Sequence, residues 1–305
     1  MTDLARQFRH PRRAAKAALR RVWPNGTPCL VCGSGRTHVT TVSRKRRTYE
    51  IRACEACGYL SNFENTVDYT AFDSVNNFKL TTRVGTANHK GREYFMAEMG
   101  VDILQRDHLQ VMVFGAGRSL DYQHIGMLSQ VERVVMSDVV ELTSEADFIN
   151  ILEGTEERFD LIIACEVVEH FADPVTEFQR LFDLLTPEGL LVCSTNIYDG
   201  GNFAKHTYLY LRGHLSYYSE AAIGVLARNG GLHHDLRTPA IAQGKVGPRK
   251  RYVLFTKSDA NVRNTATYFA DRPYAPSEDE TAFEDQAPSF GNGNNGPDGD
   301  ATRDL

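Results

Sequence analysis

Two carboxylates and an imidazole follow one apolar run of this sequence, at a spacing that could support proton transfer. Glu166, Glu169 and His170 come directly after the run Phe159–Cys165. If a helical turn starts there, Glu166 lies on the same face as Glu169 and His170. Imidazole has a near-neutral pKa, which suits a general base. The pair Glu169 and His170 could instead simply begin a helix and orient the loop.

Four cysteines form a second reactive group. Cys29 and Cys32, and then Cys54 and Cys57, make two C-x2-C-G motifs with 21 residues between them. Four thiolates complete a tetrahedral shell and leave no open position, which is typical of structural Zn²⁺. Two disulfides are the alternative. No secretory signal precedes the cysteines, and the reducing cytosol disfavours disulfides, so we expect zinc and a cytoplasmic protein.

The residues between the two cysteine pairs predict a hairpin. Residues 37–42 and 48–53 alternate like strands, and a basic tip at 44–47 joins them. We therefore expect a zinc ribbon over residues 27–66. The other two cysteines, Cys165 and Cys193, fall in apolar runs and are expected to be buried thiols.

A glycine turn and an acid predict a nucleoside-binding edge. Val111–Phe114 is short and apolar, as a strand buried on both faces would be. Gly115 and Gly117 then permit a tight turn, and the strand that follows ends at Asp138. A carboxylate there could bind ribose hydroxyls in a doubly wound sheet. Alternatively, the glycines only end a strand and Asp138 caps a helix.

These motifs together resemble the core of the class I S-adenosylmethionine-dependent methyltransferases. Phe114, Gly115, Ala116 and Gly117 match the first motif of that family, and Asp138 matches its ribose-binding acid. The runs 159–174, 185–196 and 213–219 resemble its later motifs in the same order. The resemblance covers about residues 88–258. It implies an α/β fold with a Rossmann-like seven-stranded sheet, helices on both faces, and S-adenosyl-L-methionine as cofactor.

The resemblance also assigns further site residues. It implies that Asp147 and Phe148 contact adenine, and that Cys165 and Glu166 lie beside the cofactor. The chain departs from the family pattern at two positions: Val113 replaces a common acid, and Ser119 replaces a common third glycine.

A variant of the resemblance concerns a second metal. Glu-x-x-Glu-His followed by a distant histidine resembles the divalent-metal site of small-RNA 2'-O-methyltransferases and some quinone O-methyltransferases. Here the ligands would be Glu166, Glu169, His170 and His214, holding Mg²⁺ or Mn²⁺. Without that metal, His170, Glu169 and His214 remain the candidate catalytic residues.

Charge divides the chain into four expected segments. Residues 1–23 carry seven Arg or Lys and one acid, and residues 271–305 carry nine acids and two Arg, although the net charge is only -5. We expect a basic N-terminal helix (1–26), the zinc ribbon (27–66), the methyltransferase domain (67–258, core 88–258) and a disordered acidic tail (259–305). Residues 1–23 could contact a membrane surface or nucleic acid, or pack on the protein itself. No apolar run is long enough to cross a membrane.

The favoured function is methylation of a small-molecule or carbohydrate-like acceptor. A zinc module before this core resembles bacterial sugar- and polysaccharide-tailoring methyltransferases, and the lack of a further C-terminal domain favours O- over C-methylation. The first alternative is an RNA methyltransferase that uses the ribbon and the basic N-terminus. The second is a non-catalytic binding or scaffold protein with a relic cofactor fold.

Overall fold

Two β-sheets organise the part of the chain that the computed structural model describes, which is residues 27–44, 47–71, 84–142, 146–239 and 249–271. The expected N-terminal helix (1–26), with its membrane or nucleic-acid roles, lies outside these ranges, as do residues 272–305. The strands are β1 (Thr37–Arg44), β2 (Arg47–Cys54), β3 (Leu60–Ser61), β4 (Leu109–Phe114), β5 (Val131–Asp138), β6 (Asp147–Asn150), β7 (Phe159–Cys165), β8 (Leu185–Ile197), β9 (Ser216–Tyr217), β10 (His233–Arg237) and β11 (Arg249–Thr256).

The large sheet has seven strands in the order β10-β11-β8-β7-β4-β5-β6. The five strands from β8 to β6 run parallel, and β11 is antiparallel to both of its neighbours. This arrangement confirms the expected seven-stranded α/β sheet. The central strands β4 and β7 are apolar along nearly their whole length because both of their faces are covered.

Helices cover both faces of this sheet. They are α1 (Arg92–Leu104), α2 (Asp121–Ile125), α3 (Pro174–Asp183), α4 (Glu220–Gly230) and α5 (Asp259–Asp271). One core layer lies under α1 and the other under α3 and α4. Among the residues described, none of the helices has both the length and the apolar composition that crossing a lipid bilayer requires.

The small sheet joins the cysteine-rich segment to the rest of the protein. Its order is β1-β2-β3-β9, and the β1–β2 hairpin pairs Thr37 with Cys54 and Arg44 with Arg47, as the sequence predicts. Its fourth strand, β9, comes from the chain beyond β8, and Tyr217 of β9 pairs with Leu60 of β3. The ribbon is therefore completed by residues of the larger domain, across the boundary expected at residue 66.

The expected disordered tail begins too early at residue 259. The chain instead forms α5 to Asp271, and α5 is tied to the sheet and to α1 by polar side chains. Asn261 donates to the Glu188 carbonyl at 2.9 Å, and Asn264 donates to the Ile103 carbonyl at 2.9 Å. Composition alone missed this helix because it is held by amides as well as by apolar residues.

We predict that Phe178→Ala lowers the free energy of unfolding by about 3–5 kcal/mol, because it leaves a cavity in the core. Phe178 is 1% exposed and packs against four other aromatic rings. Urea denaturation would measure the change. Val262→Ala is the control, since Val262 is 40% exposed and should change stability by less than about 0.5 kcal/mol. Equal effects of the two substitutions would contradict this description of the core.

Candidate active site

The turn after β4 has the geometry of a ligand-binding loop. Gly115 and Gly117 both have left-handed backbone angles, with φ of +68° and +56°. A Cβ on Gly115 would lie 2.5 Å from the Val167 side chain, so only glycine fits there. A Cβ on Gly117 would meet nothing within 4 Å, which leaves open space in front of the turn.

Asp138 at the end of β5 closes this edge. Its carboxylate accepts hydrogen bonds from the Gly117 N–H at 2.9 Å and from the Val139 N–H at 2.6 Å. Burial raises the pKa of Asp138 above its usual value. Each carboxylate oxygen has a further lone pair, so the group can also accept from ribose hydroxyls. The structure thus places Gly115, Gly117 and Asp138 together, as predicted.

The two departures from the family pattern have structural explanations. Val113 is 1% exposed and fills the core under the sheet. Ser119 is buried, donates to a Glu93 carboxylate oxygen at 3.3 Å, and accepts from the Asp121 N–H at 3.3 Å. Its side chain therefore anchors the start of α2 and does not fill the open side of the glycine turn.

Asp147 and Phe148 do not reach the edge where the resemblance placed them. In the β5–β6 register, Asp138 pairs with Asn150, whereas Asp147 pairs with Val135 at the other end of β6. The Asp147 carboxylate instead accepts from Arg133 Nε at 2.7 Å. Asn150 is the β6 residue beside Asp138, three positions after Asp147.

Glu166 forms a charged cluster directly after β7. Its Oε1 lies 2.5 Å from Lys250 Nζ, its Oε2 lies 4.0 Å from an Arg92 nitrogen, and Ser194 Oγ donates to Oε1 at 3.1 Å. Burial opposes ionisation, but the charges of Lys250 and Arg92 outweigh it, so the pKa of Glu166 falls. Its backbone φ is +58°, a strained value for a residue with a side chain. Neighbouring Cys165 is a buried thiol, and burial raises its pKa to about 12.

Glu169 is fully buried beside a tyrosine. Tyr208 donates its hydroxyl proton to Glu169 Oε1 at 2.5 Å and is itself 3.0 Å from Thr195 Oγ1. Oε2 of Glu169 has no hydrogen-bond partner among the described residues. Burial, and then the negative charge of Glu166, raise the pKa of Glu169 to about 8. Glu169 is therefore protonated over most of the neutral range.

His170 is held by its Nδ1 atom. That atom lies 2.8 Å from the Gly213 carbonyl oxygen and 3.0 Å from the Tyr69 hydroxyl. A carbonyl can only accept, so Nδ1 carries the proton and Nε2 carries the free lone pair. Burial lowers the pKa of His170, which keeps the ring neutral. The sequence expectation of a regular helical turn is met only by a short 3-10 turn, Val168–His170.

His214 joins this group from the chain before β9. Its ring centroid is 5.0 Å from that of His170 and 4.4 Å from that of Tyr208. Burial, and then His170, lower the pKa of His214 to about 3, and its Nδ1 has no partner among the described residues. One ligand atom from each of Glu169, His170 and His214 lies within 4.8 Å of the others. The structure thus groups three of the four expected metal ligands, and Glu166 instead pairs with Lys250.

The four cysteines also come together as predicted. Cys29 and Cys57 are 3.7 Å apart at sulfur, Cys32 and Cys54 are 3.6 Å apart, and all four are free thiols. A tetrahedron with bonds of about 2.3 Å has sulfur–sulfur edges of about 3.8 Å, so these distances fit zinc and are too long for disulfides. The Cys57 thiol, more than any other contact, lowers the pKa of Cys29 to about 5.

Sequence reasoning missed several residues that complete the site. Tyr69 comes from the segment after the ribbon, Arg92 begins α1, Lys250 lies on β11, and Tyr208 lies in the loop after β8. None belongs to a motif, and Lys250 reaches Glu166 only because β11 and β7 lie on either side of β8 in the strand order. The contact between Tyr208 and Glu169 cannot be predicted from sequence spacing, because the two residues are 39 positions apart.

Comparison with known proteins agrees with this geometry. A family model described as a methyltransferase domain matches residues 32–234. The ubiquinone biosynthesis O-methyltransferases of Cereibacter sphaeroides and Ruegeria pomeroyi are 33% and 30% identical over 100 and 107 residues. Each match covers 33% of this chain and 34% of the relative, so the chain spans about a third of the length of the curated relatives it matches.

A solved structure gives a weaker likeness. The 1,6-didemethyltoxoflavin-N1-methyltransferase of Burkholderia thailandensis, with bound 1,6-didemethyltoxoflavin and S-adenosylhomocysteine, is 23% identical, with a TM-score of 0.42. The match covers 54% of this chain and 77% of the other chain.

The family model matches about two thirds of the chain, with the glycine turn and Asp138 inside the matched range. The chain therefore belongs to the methyltransferase domain family, the class I S-adenosylmethionine-dependent enzymes.

Proposed function

We propose that the protein transfers a methyl group from S-adenosyl-L-methionine to a hydroxyl oxygen of a small-molecule or carbohydrate-like acceptor. One observation carries this proposal. Glu169, His170 and His214 form a cluster beside the turn after β7, the strand next to the glycine turn, and His170 Nε2 is the proton acceptor of this cluster. Only an acceptor that must lose a proton needs such a group, because the sulfonium leaving group needs no acid.

In this mechanism the acceptor oxygen attacks the methyl carbon in line with the sulfur. The carbon–sulfur bond breaks, its electron pair stays on sulfur, and the cofactor leaves as neutral S-adenosylhomocysteine. The acceptor proton passes to His170 Nε2, whose lone pair is free because Nδ1 donates to Gly213. Alignment of the three reacting atoms would supply much of the rate enhancement.

The cofactor fits the edge formed by β4 and β5. Asp138 would accept from the ribose hydroxyls, and the open face of Gly117 would allow close backbone approach. Phe114, Ala116, the last residue of β7 (Cys165) and the residue after it (Glu166) border the same edge. Arg92 would attract the cofactor carboxylate, since its buried Nε has no hydrogen-bond partner among the described residues.

A divalent cation at the second cluster is the runner-up mechanism. It is favoured by two buried atoms of the cluster, Glu169 Oε2 and His214 Nδ1, which have no hydrogen-bond partner in the part of the chain that the structure describes. Two imidazoles and one carboxylate fit Mn²⁺ better than Mg²⁺, which prefers oxygen ligands. Such an ion would lower the pKa of a bound acceptor hydroxyl.

Zn²⁺ is proposed for the four cysteines, where the buried guanidinium of Arg52 lies near Cys29 and would offset part of the thiolate charge.

The two other functions have less support. An RNA substrate has less support because Arg44, one of the basic residues expected to contact phosphates, donates to the His206 carbonyl at 3.2 Å and stacks on Tyr210. A relic scaffold was suggested by Val113 and Ser119, and both have packing roles that leave the glycine turn open.

Asp138→Ala should weaken binding of S-adenosylhomocysteine by about 10- to 150-fold, the loss of charged hydrogen bonds worth about 1.5–3 kcal/mol. Isothermal titration calorimetry would measure the affinities. Asp147→Ala is the matched control, because this acid lies at the far end of β6 and pairs with Arg133. Its affinity should stay within about twofold of wild type. Failure of the wild type to bind would remove the proposed function.

Methyl transfer itself tests the acceptor class and the base. The assay uses S-adenosylmethionine with a tritiated methyl group and a panel of catechols, nucleotide-linked sugars and total RNA. We expect an O-methyl product from a small hydroxyl compound. His170→Ala should lower kcat by about 10²–10⁴-fold with little change in the affinity for S-adenosylhomocysteine. Label found only in RNA would favour the alternative substrate.

The pH dependence of stability should report Glu169. Because its folded pKa of about 8 exceeds its unfolded value, its contribution is complete below about pH 4.5 and is lost as the pH rises through 8. Glu169→Gln keeps a neutral group, so its free energy of unfolding should rise relative to wild type by at least about 1.4 kcal/mol between pH 5 and 9. Urea denaturation with a chelator present measures this difference. Parallel curves for the two proteins would show that Glu169 ionises normally.

A further inference from the structure

The segment that leaves the cysteine cluster runs directly to the acceptor side of the active site. After Cys57, the chain forms β3, a 3-10 turn at Phe63–Asn65, and a second 3-10 turn at Tyr69–Ala71. The last of these turns places the Tyr69 hydroxyl 3.0 Å from His170 Nδ1. The segment that directly follows the cysteine module thus reaches the candidate base.

Two buried asparagines in this segment hold the loop of residues 208–215. Asn62 is 0% exposed and Asn65 is 7% exposed. The side-chain amide of Asn62 donates to the Leu209 carbonyl at 3.0 Å, and that of Asn65 donates to the Leu211 carbonyl. An amide donor at each of two nearby carbonyls fixes both the path and the rotation of the loop backbone.

Backbone hydrogen bonds complete the same attachment. The Asn62 N–H donates to the Leu215 carbonyl at 2.8 Å, and the Gly213 N–H donates to the Asn65 carbonyl at 3.1 Å. The Leu215 N–H in turn donates to the Glu169 carbonyl at 2.8 Å. The loop is therefore held on one side by the segment after the cysteines and on the other by the turn that carries Glu169.

The held loop carries the acceptor-side chemistry. Tyr208 begins it and His214 lies near its end, and the carbonyl of Gly213 fixes the proton on His170 Nδ1. Among the described residues, the hydrogen bonds of Asn62 and Asn65 go to residues 209–215 and to each other's neighbourhood, and none goes to Gly117 or Asp138. The asparagines therefore act on the acceptor half of the site.

We propose that Asn62 and Asn65 are positioning residues for methyl transfer. Their amides keep Tyr208 and His214 in place against Glu169 and His170, so the two asparagines support the acceptor half of the active site. The proposal rests on the proposed function, because it assigns these residues a role in the same reaction.

The test compares Asn62→Ala and Asn65→Ala in the full chain with Asn264→Ala. Asn264 is a matched control because its side-chain amide also donates to a backbone carbonyl, that of Ile103, but between α5 and α1. Asn65→Asp is a further variant that keeps the side-chain volume and removes the donor. Asn65→Asp replaces Asn65→Ala in the test if the alanine variant does not fold.

The first readout is the strongly hydrogen-bonded proton between Tyr208 and Glu169, seen by proton NMR downfield of the amides and assigned by its loss in Tyr208→Phe. We expect the signal to disappear or shift in the Asn62 and Asn65 variants and to remain in Asn264→Ala. A destabilised but otherwise normal fold would keep this signal in its folded fraction. An unchanged signal in the Asn62 and Asn65 variants would overturn the proposal, as would a wild type that lacks it.

The second readout is the affinity for S-adenosylhomocysteine by calorimetry. We expect every variant to stay within about threefold of wild type. With the acceptor found above, kcat should fall at least about tenfold in the Asn62 and Asn65 variants, with little change in KM for S-adenosylmethionine. An affinity loss that parallels the loss of the NMR signal would show a general folding role and overturn the proposal. A wild type that binds no S-adenosylhomocysteine would instead remove the proposed function.

Discussion

The position of β7 between β4 and β8 is the constraint on which the site depends. Parallel strands end at the same edge, so the turn after β7 is adjacent to the glycine turn on one side and to the end of β8 on the other. Gly115 must lack a side chain because Val167, in that turn, packs against it. One short turn therefore serves both the cofactor edge and the acceptor groups.

Burial decides the protonation of the groups at this edge. Glu169 and His214 are driven toward their neutral forms, while Glu166 stays ionised because Lys250 and Arg92 compensate it. At neutral pH, Glu166 is therefore ionised, whereas Glu169, only three residues later, is mostly neutral. The difference comes from their partners, which lie on elements far apart in the sequence.

The fold could be predicted from the sequence because its signals are local. Gly115 and Gly117 follow one strand, and Asp138 ends the next, so residue type alone marks these positions. The C-x2-C spacing of the cysteine pairs likewise indicates a metal site without any knowledge of the fold. The position of Asp147 at the far end of β6 could not be predicted, because strand register cannot be read from composition. Lys250 was missed for a related reason, since its partner Glu166 lies 84 positions earlier and only the strand order joins them.

The pairing of β3 with β9 has a consequence for how the chain folds as it is made. The small sheet needs Ser216 and Tyr217, which are synthesised more than 150 residues after Leu60. During translation the first three strands emerge early, and the edge of β3 that pairs with β9 stays unpaired until most of the large domain has left the ribosome. Long-range closure of this kind slows folding, and transplanting the cysteine module alone would leave it without its last strand.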